Sequence, residues 1–320
     1  MFRLSFGVAC AAAAAACGTQ PPSTPPPPVD SALPLDAPAR NGAGPGGGTL
    51  DAFEFAIVGD TRPVNLDDTA HYPTAIVQQI WMDVEAESPH PAFAISTGDY
   101  MFASVNGSEQ GPQLDAYLGA RASFDGVVYP ALGNHECNGF TDSNCGPAGA
   151  DLEPPNYQLF LSRMIQPIGE TLPYYVERFA ATDKSWTAKM VFVAANAWDG
   201  TQAQWLGEIL SEPTTYTFVV RHEPTMSGTA PGVGPSDQII IKHPYTMIIA
   251  GHTHTYEHVP AYKTLIVGNG GAPLTSDADY GYVVIARQAD GTIAVTSKDY
   301  MTKAVVDSFS VNADGSPATP

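Results

Sequence analysis

The sequence predicts an α/β domain, because strand-like and helix-like segments alternate along it. Five short apolar runs rich in β-branched or aromatic residues indicate buried strands, at 53–58, 92–97, 127–132, 216–220 and 245–250. Helices are predicted at 73–87, 156–165 and 201–210. In the first of these, Ile76, Ile80 and Val84 recur at helical spacing. The ordered domain is expected to span residues 50–320, a length that suits one large core.

Local signals indicate the other elements. Two strand pairs are predicted, the second around a turn at Asp290-Gly291: 174–179 with 188–195, and 280–286 with 292–297. Long loops are expected at 110–123 and 138–156. Because binding residues concentrate on loops, we expect these two to shape the choice of substrate.

Each of the five strand-like runs is followed by side chains that can bind a metal. They are Gly59-Asp60, Gly98-Asp99, Gly133-Asn134-His135-Glu136, Arg221-His222-Glu223 and Gly251-His252-Thr253-His254. One such residue after a strand is usually a turn or a cap, but five place their side chains along one edge of a sheet, where loops build active sites. Carboxylate and amide oxygens mixed with imidazoles suit Mn, Fe, Zn or Mg better than a thiolate site would.

This ordered set resembles the calcineurin-like metallophosphoesterases, which carry Asp-x-His, Gly-Asp, Gly-Asn-His-Asp/Glu, a lone His and Gly-His-x-His in the same order. Within that superfamily the sequence is most similar to the purple acid phosphatase branch. The similarity lies in Val219-Val220-Arg221-His222 and in residues 251–257, Gly-His-Thr-His-Thr-Tyr-Glu. The resemblance covers residues 53 to about 300. It implies a sandwich of two packed mixed β-sheets flanked by helices (αββα).

The resemblance also implies an activity and a metal centre. The activity is hydrolysis of phosphate esters by in-line attack of a metal-bound hydroxide, with two divalent ions drawn from Mn, Fe, Zn or Mg. The ligands of the second ion would be Asp99, Asn134, His222 and His252, and those of the first Asp60, Asp99 and His254. Asp99 would bridge the two ions. His135 would bind no metal and would stabilise or protonate the leaving group.

The first metal site departs from the family pattern at two positions. Arg62 stands where most members have a His ligand, and Phe102 stands where the purple acid phosphatases have a Tyr ligand. Nothing therefore supports a purple Fe(III) enzyme, and Arg stays protonated and does not bind metal. Either Arg62 binds a phosphate oxygen through its planar fork, the interpretation we adopt, or it pairs with an acidic neighbour and the first site is weak or empty. His71 could supply the missing imidazole, but a surface position in a polar loop is the simpler interpretation.

The N-terminus has the features of an export signal. A short charged start and an apolar stretch too short to span a bilayer precede small residues before Cys17. Residues 1–17 are therefore predicted to be a lipoprotein-type signal, with Cys17 carrying the lipid anchor; an ordinary secretory signal is the alternative. Residues 18–49 are rich in Pro and Gly and are predicted to be a disordered tether. The protein is expected at a bacterial membrane, in the periplasm or at the cell surface.

Two further cysteines follow the Gly-Asn-His-Glu motif. In an oxidising compartment Cys137 and Cys145 are predicted to form a disulfide that closes the loop beside His135. The competing hypothesis, a thiolate metal site, lacks the usual Cys-x-x-Cys spacing.

The charge of the chain bears on its partners. The formal net charge is −19 and the sequence has no cluster of Lys and Arg, which argues against nucleic acid as a partner. We expect a monomer that acts on a small phosphorylated substrate. A function of a different class is also open: a catalytically degenerate surface protein that keeps the fold and one metal, and binds a phosphorylated ligand or partner.

Overall fold

Two β-sheets face one another and carry helices on their outer faces. The computed structural model describes residues 42–226, 228–275 and 278–318. The strands in these ranges are β1 Ala43–Gly44, β2 Gly47–Leu50, β3 Glu54–Val58, β4 Phe93–Ser96, β5 Val127–Pro130, β6 Tyr175–Ala181, β7 Thr187–Val193, β8 Tyr216–Arg221, β9 Met247–Ala250, β10 Tyr256–Val259, β11 Thr264–Val267, β12 Gly281–Arg287, β13 Ile293–Asp299 and β14 Val305–Val311. They form one sheet in the order β1-β2-β6-β7-β8-β9-β11-β10 and a second in the order β14-β13-β12-β3-β4-β5.

Aromatic side chains join the two sheets. Phe93 of β4 stacks on Phe179 of β6 with 4.4 Å between ring centroids. Phe55 of β3 meets Phe218 of β8 edge-on at 5.4 Å. All four rings are buried, and aromatic groups supply much of the apolar area that holds such layers together. The sheets therefore keep a fixed relation to each other, and so do the loops at their strand ends.

Helices cover the outer faces of the sandwich. The α-helices are α1 Thr74–Glu85, α2 Gln110–Arg121, α3 Pro155–Phe160, α4 Gly200–Ser211 and α5 Val233–Ile240. A π-helical turn, Leu161–Ile165, continues α3. Leu206 and Ile209 of α4 pack with Ile240 of α5 against Val191 and Val219 on the larger sheet. On the other side, α1 packs against α2 and β12.

The predicted αββα architecture is confirmed. The five apolar runs form β3, β4, β5, β8 and β9, and the two predicted strand pairs are the antiparallel pairs β6–β7 and β12–β13. The predicted helices correspond to α1, α3 with its π-helical turn, and α4. Strands β3, β4 and β5 run parallel, and so do β8 and β9. In each sheet the carboxyl ends of these parallel strands, and the motifs that follow them, therefore lie at the same end of the strands.

The predicted tether ends too late in the sequence. Residues 43–50 do not belong to a disordered segment: β1 and β2 pair with each other, and β2 adds to the edge of the larger sheet beside β6. The side chain of Leu50 is fully buried, and the Gly44 carbonyl accepts a hydrogen bond from the Tyr129 hydroxyl at 2.6 Å. Glycine allows this close pairing, so a composition typical of a linker concealed an edge strand.

The predicted loop at 110–123 is also wrong, because most of it is α2. Gln113, Leu114, Tyr117 and Ala120 are buried on one face of this helix, which is helical periodicity. Pro112 lies in the first turn, where a missing N–H costs nothing. The second predicted loop, 138–156, is irregular until α3 begins.

Several N-terminal predictions lie outside the described residues. They are the signal peptide at 1–17, the lipid anchor on Cys17 and the tether up to residue 41. In the described part of the chain, no helix has both the length and the apolar character that crossing a membrane requires.

Candidate metal centre

All six predicted ligands meet at the carboxyl ends of the central strands. Asp60 follows β3, Asp99 follows β4 and Asn134 follows β5, while the three histidines follow β8 and β9. Two groups have ligand atoms that all lie within 4.8 Å of one another: Asp99 with His222 and His252, and Asp60 with Asp99 and His254. Asp99 belongs to both groups, as a bridging carboxylate would.

Four ligand atoms converge in the second cluster. The Nε2 atom of His222 lies 3.2 Å from Asp99 Oδ1, 3.1 Å from Asn134 Oδ1 and 3.2 Å from His252 Nδ1. Ligand atoms at this separation suit an ion that each of them binds at roughly 2 Å. The mixed oxygen and nitrogen donors fit Zn, Mn or Fe. The residues present therefore fit the ion that the resemblance implies.

Backbone carbonyls orient these side chains. His222 Nδ1 donates to the Thr97 carbonyl at 2.8 Å, so its Nε2 faces the cluster. Asn134 Nδ2 donates to the Gly139 carbonyl at 3.0 Å, which turns Oδ1 inward. Gly139 lies in the loop closed by a disulfide between Cys137 and Cys145. The predicted disulfide is thus confirmed, and it closes the loop that holds Asn134, a predicted metal ligand.

The first cluster has fewer protein groups. His254 Nδ1 donates to the Pro273 carbonyl at 2.7 Å, so Nε2 faces Asp60 Oδ1 at 3.8 Å. Asp60 in turn accepts from the His252 N–H, at 3.0 Å and 3.1 Å to its two oxygens. Asp60, Asp99 and His254 could hold an ion here together with non-protein ligands.

The ligand loops adopt backbone conformations that side chains rarely take. Asp60, Asp99, His252 and His254 have φ of 56°, 57°, 71° and 52°. Left-handed backbone at four predicted ligands in one site is a form of strain that concentrates at functional sites. The motif glycine Gly98 lets the backbone approach the His222 ring closely, because a Cβ at this position would lie 2.7 Å from His222 Nδ1.

A buried carboxylate, Glu136, holds two of the loops together. It accepts hydrogen bonds from the backbone N–H groups of Asp99 at 2.8 Å, Tyr100 at 2.8 Å and Gly133 at 3.0 Å. The structure places it underneath the ligands, fully buried, and burial raises its pKa to about 7.

The buried charges strongly perturb one another. Burial raises the pKa of Asp60 well above its usual range. Burial acts on Asp99 in the same direction, but the charges of His222, His135 and Arg62 and the hydrogen bond with His222 together outweigh it and hold the pKa of Asp99 well below its usual range. For His222, burial lowers the pKa, but Asp99, Asp60 and the Thr97 carbonyl together raise it to about 10. Opposite shifts of two adjacent carboxyl groups are typical of functional sites, and a divalent cation would compensate both charges at once.

The two non-ligand residues lie beside the clusters. His135 is buried, with Nε2 3.8 Å from Asp99 Oδ2, and burial lowers its pKa to about 3. Arg62 Nε lies 3.7 Å from the same oxygen, with 15% of its side chain exposed. Between them lies Phe102, which the sequence marked only as a missing tyrosine. His71 is not part of the site: its side chain is 80% exposed and pairs with Asp68.

Comparisons with known proteins agree with this geometry. Residues 53–256 match the family model of the calcineurin-like phosphoesterases. A similar fold occurs in GAP50, the anchor in the inner membrane complex of Plasmodium, with a TM-score of 0.58, 14% identity, and 82% of this chain and 89% of that one covered. It also occurs in the purple acid phosphatase PPD1 from yellow lupin (Lupinus luteus) seeds, with a TM-score of 0.54, 14% identity, and 84% and 57% covered. At such identities these structures support the fold alone. No curated protein matches the sequence.

Proposed function

The chain belongs to the calcineurin-like phosphoesterase family, and on that premise we propose that it is an exported, metal-dependent phosphoric ester hydrolase acting on a small phosphorylated substrate. The observation that carries the proposal is the convergence of three other ligand atoms around His222 Nε2 at 3.1–3.2 Å, with Asp99 shared between two clusters. A site with one purely structural ion has no need of a second cluster.

Two divalent ions held by these residues would supply charge compensation for the phosphoryl group and would activate the attacking water. The second would be held by Asp99, Asn134, His222 and His252, and the first by Asp60, Asp99 and His254. The protein groups then complete the reaction. The P–O bond to the leaving group breaks as a bond to the water oxygen forms. His135, whose lowered pKa keeps it neutral, stabilises the leaving oxygen by donating a hydrogen bond, and the proton that the attacking water loses passes to the leaving group. Arg62 binds a phosphoryl oxygen.

Export is the second part of the proposal. A disulfide is typical of oxidising compartments, and the Cys137–Cys145 bond supports placement outside the cytoplasm. We propose that a lipid on Cys17 anchors the protein to a bacterial membrane as a monomer. Mass spectrometry of the chain recovered from membranes would test this, since lipidation adds acyl mass to a fragment beginning at Cys17.

A binding protein is the alternative function. It is favoured by one observation, the replacement of a first-site histidine by Arg62, which leaves three protein groups in the first cluster. Such a protein would keep the metal in the second cluster and bind a phosphorylated ligand without turnover.

The test uses the full chain with its disulfide formed. We expect bound metal by elemental analysis and turnover of p-nitrophenyl phosphate or its bis-ester. His135→Ala should lower kcat about 100-fold with unchanged metal content, whereas His222→Ala should lower the metal content itself. His71→Ala, a change at an exposed histidine, is the control and should alter neither. Bound metal without turnover of either ester would favour the binding protein.

A further inference from the structure

Phe102 contacts two of the proposed active-site side chains at once. The Cζ atom of Arg62 lies 4.6 Å from the centre of the Phe102 ring, a distance at which a guanidinium is attracted to an aromatic face. The His135 ring meets the same ring edge-on, with 4.7 Å between centroids. Phe102 therefore orients the guanidinium and the imidazole relative to each other.

The backbone of Phe102 is itself held from two sides. The side chain of Gln113, buried on α2, accepts from the Phe102 N–H at 2.6 Å and donates to the Phe102 carbonyl at 3.2 Å. The Asp67 N–H donates to the same carbonyl at 2.8 Å. Because both backbone polar groups are fixed, the ring is a stable support for Arg62.

Arg62 has donor capacity that the described residues do not use. Its Nη1 atom donates to the Pro63 carbonyl at 3.1 Å. Its Nε atom is buried and finds no acceptor among the described residues, since Asp99 Oδ2 is 3.7 Å away, beyond hydrogen-bond length. A buried donor without an acceptor is unfavourable, so an acceptor supplied by the substrate would relieve it.

We propose that the Arg62–Phe102–His135 array makes the site selective for phosphate monoesters over diesters. This inference rests on the proposed hydrolase function. A monoester presents one more unesterified, negatively charged oxygen than a diester. Arg62 binds that oxygen through its fork, in a plane set by the Phe102 ring. His135, which contacts the same Phe102 ring, remains free to interact with the leaving group.

A diester meets this array less favourably. Its second organic group takes the position of the extra oxygen and lies against the guanidinium. The mostly buried Arg62 then makes one charge-assisted hydrogen bond fewer, because Asp99 Oδ2 at 3.7 Å is beyond hydrogen-bond length. Phe102 is a positioning residue in this scheme, because it touches Arg62 and His135 and not the reacting atoms.

The experiment compares p-nitrophenyl phosphate with bis(p-nitrophenyl) phosphate on the full metal-loaded chain. We expect the wild type to prefer the monoester. Arg62→Ala should lower kcat/KM about 100-fold for the monoester and less than about threefold for the diester, consistent with loss of one charge-assisted hydrogen bond. Arg62→Lys should restore part of the loss, and Phe102→Leu should reduce the monoester preference.

Calorimetry with inorganic phosphate supplies a readout without turnover, and Arg62→Ala should weaken phosphate binding about 30-fold.

Arg178→Ala is the matched control, since Arg178 is 48% exposed and pairs with Glu212 away from the ligands; it should change neither ester. Equal losses on both esters in Arg62→Ala, or a wild type that prefers the diester, would overturn the selectivity while leaving the hydrolase in place. A fall in metal content in Arg62→Ala would also overturn it, because Arg62 would then act through Asp99. A metal-loaded wild type that hydrolyses neither ester would instead count against the proposed hydrolase and favour the binding protein.

Discussion

At the scale of single residues, a backbone carbonyl turns three of the four proposed imidazole and amide ligands towards the cluster. The carbonyls of Thr97, Gly139 and Pro273 accept from His222, Asn134 and His254 respectively. The opposite atom of each side chain then faces the other ligands. Bringing several electron-rich atoms together is unfavourable unless a cation lies between them, so this outer set of hydrogen bonds prepares the site for an ion.

Glu136 offers a test of how that preparation is achieved. In Glu136→Gln, one acceptor oxygen becomes an NH2 group facing the backbone N–H groups of Asp99 and Gly133 or of Tyr100. Leaving such buried donors unsatisfied should lower the free energy of unfolding by about 2 kcal/mol. It should also weaken metal binding, because Asp99 is displaced. Urea denaturation and metal titration at pH 8 would measure both, above the Glu136 pKa of about 7.

Glu212→Gln is the control for that change. Glu212 is 46% exposed and pairs with Arg178, so its substitution should cost less than about 1 kcal/mol. If the two variants lose the same stability, Glu136 is not the support that its hydrogen bonds indicate.

The clustering of the predicted ligands could be foreseen from the sequence, but the array of Arg62, Phe102 and His135 beside them could not. Asp60, Asp99 and the three histidines follow apolar runs in the order of the calcineurin-like phosphoesterase motifs. In the structure these residues lie together in the two clusters. The contact between Arg62 and Phe102 depends on Gln113, a residue on a helix that was not predicted. A polar side chain whose partners are backbone groups distant in sequence leaves no local pattern.

At the scale of elements, apolar content decided which strands could be recognised. The runs that became β3, β4 and β9 are short, apolar and buried on both faces, so they stand out. The strands β1 and β2 consist mostly of glycine and alanine and have no alternation. Only Pro45-Gly46 marks the turn between them, with Gly46 at a φ of 80°.

This edge hairpin can be tested at Gly47. A Cβ on Gly47 would lie 1.9 Å from the Arg178 carbonyl oxygen, at a φ of 101°. Gly47→Ala should therefore lower the free energy of unfolding by about 3 kcal/mol or more. In a disordered tether the same change would be neutral or slightly stabilising.

Gly46→Ala separates the cost of a positive φ from the cost of the steric clash between a Cβ and the Arg178 backbone. Gly46 also has positive φ, but a Cβ there meets nothing within 4 Å, so its loss should be only about 1–2 kcal/mol. Urea denaturation of the two variants beside the wild type gives the comparison. Equal and negligible losses would mean that residues 43–50 do not pair with β6 in solution.

At the scale of the whole molecule, the space between the sheets contains a carboxyl group as well as aromatic rings. Glu177 lies on the same face of β6 as Tyr175 and Phe179 and is fully buried. Neither of its oxygens accepts a hydrogen bond of normal geometry from the described residues. Burial, and then the charge of Glu170, raise the pKa of Glu177 to about 9, against smaller lowering effects of the Gly46 N–H and Arg178. The folded protein therefore keeps this group protonated at neutral pH.

The raised pKa predicts that stability falls with pH in a way that Glu177→Gln removes. Below about pH 4.5 the carboxyl is protonated in both the folded and the unfolded state, so its titration does not change the free energy of unfolding there. Between about pH 4.5 and the folded pKa of about 9, the folded state binds the proton more tightly than the unfolded chain, so stability decreases as pH rises. The unfolding free energy of Glu177→Gln minus that of the wild type should therefore grow by about 4 kcal/mol from pH 5 to pH 8. Any packing cost of the amide is the same at every pH, so it does not affect this difference. If the free energies of unfolding of the two proteins instead run parallel from pH 5 to pH 8, Glu177 is ionised in the folded protein and the two sheets separate enough to hydrate it.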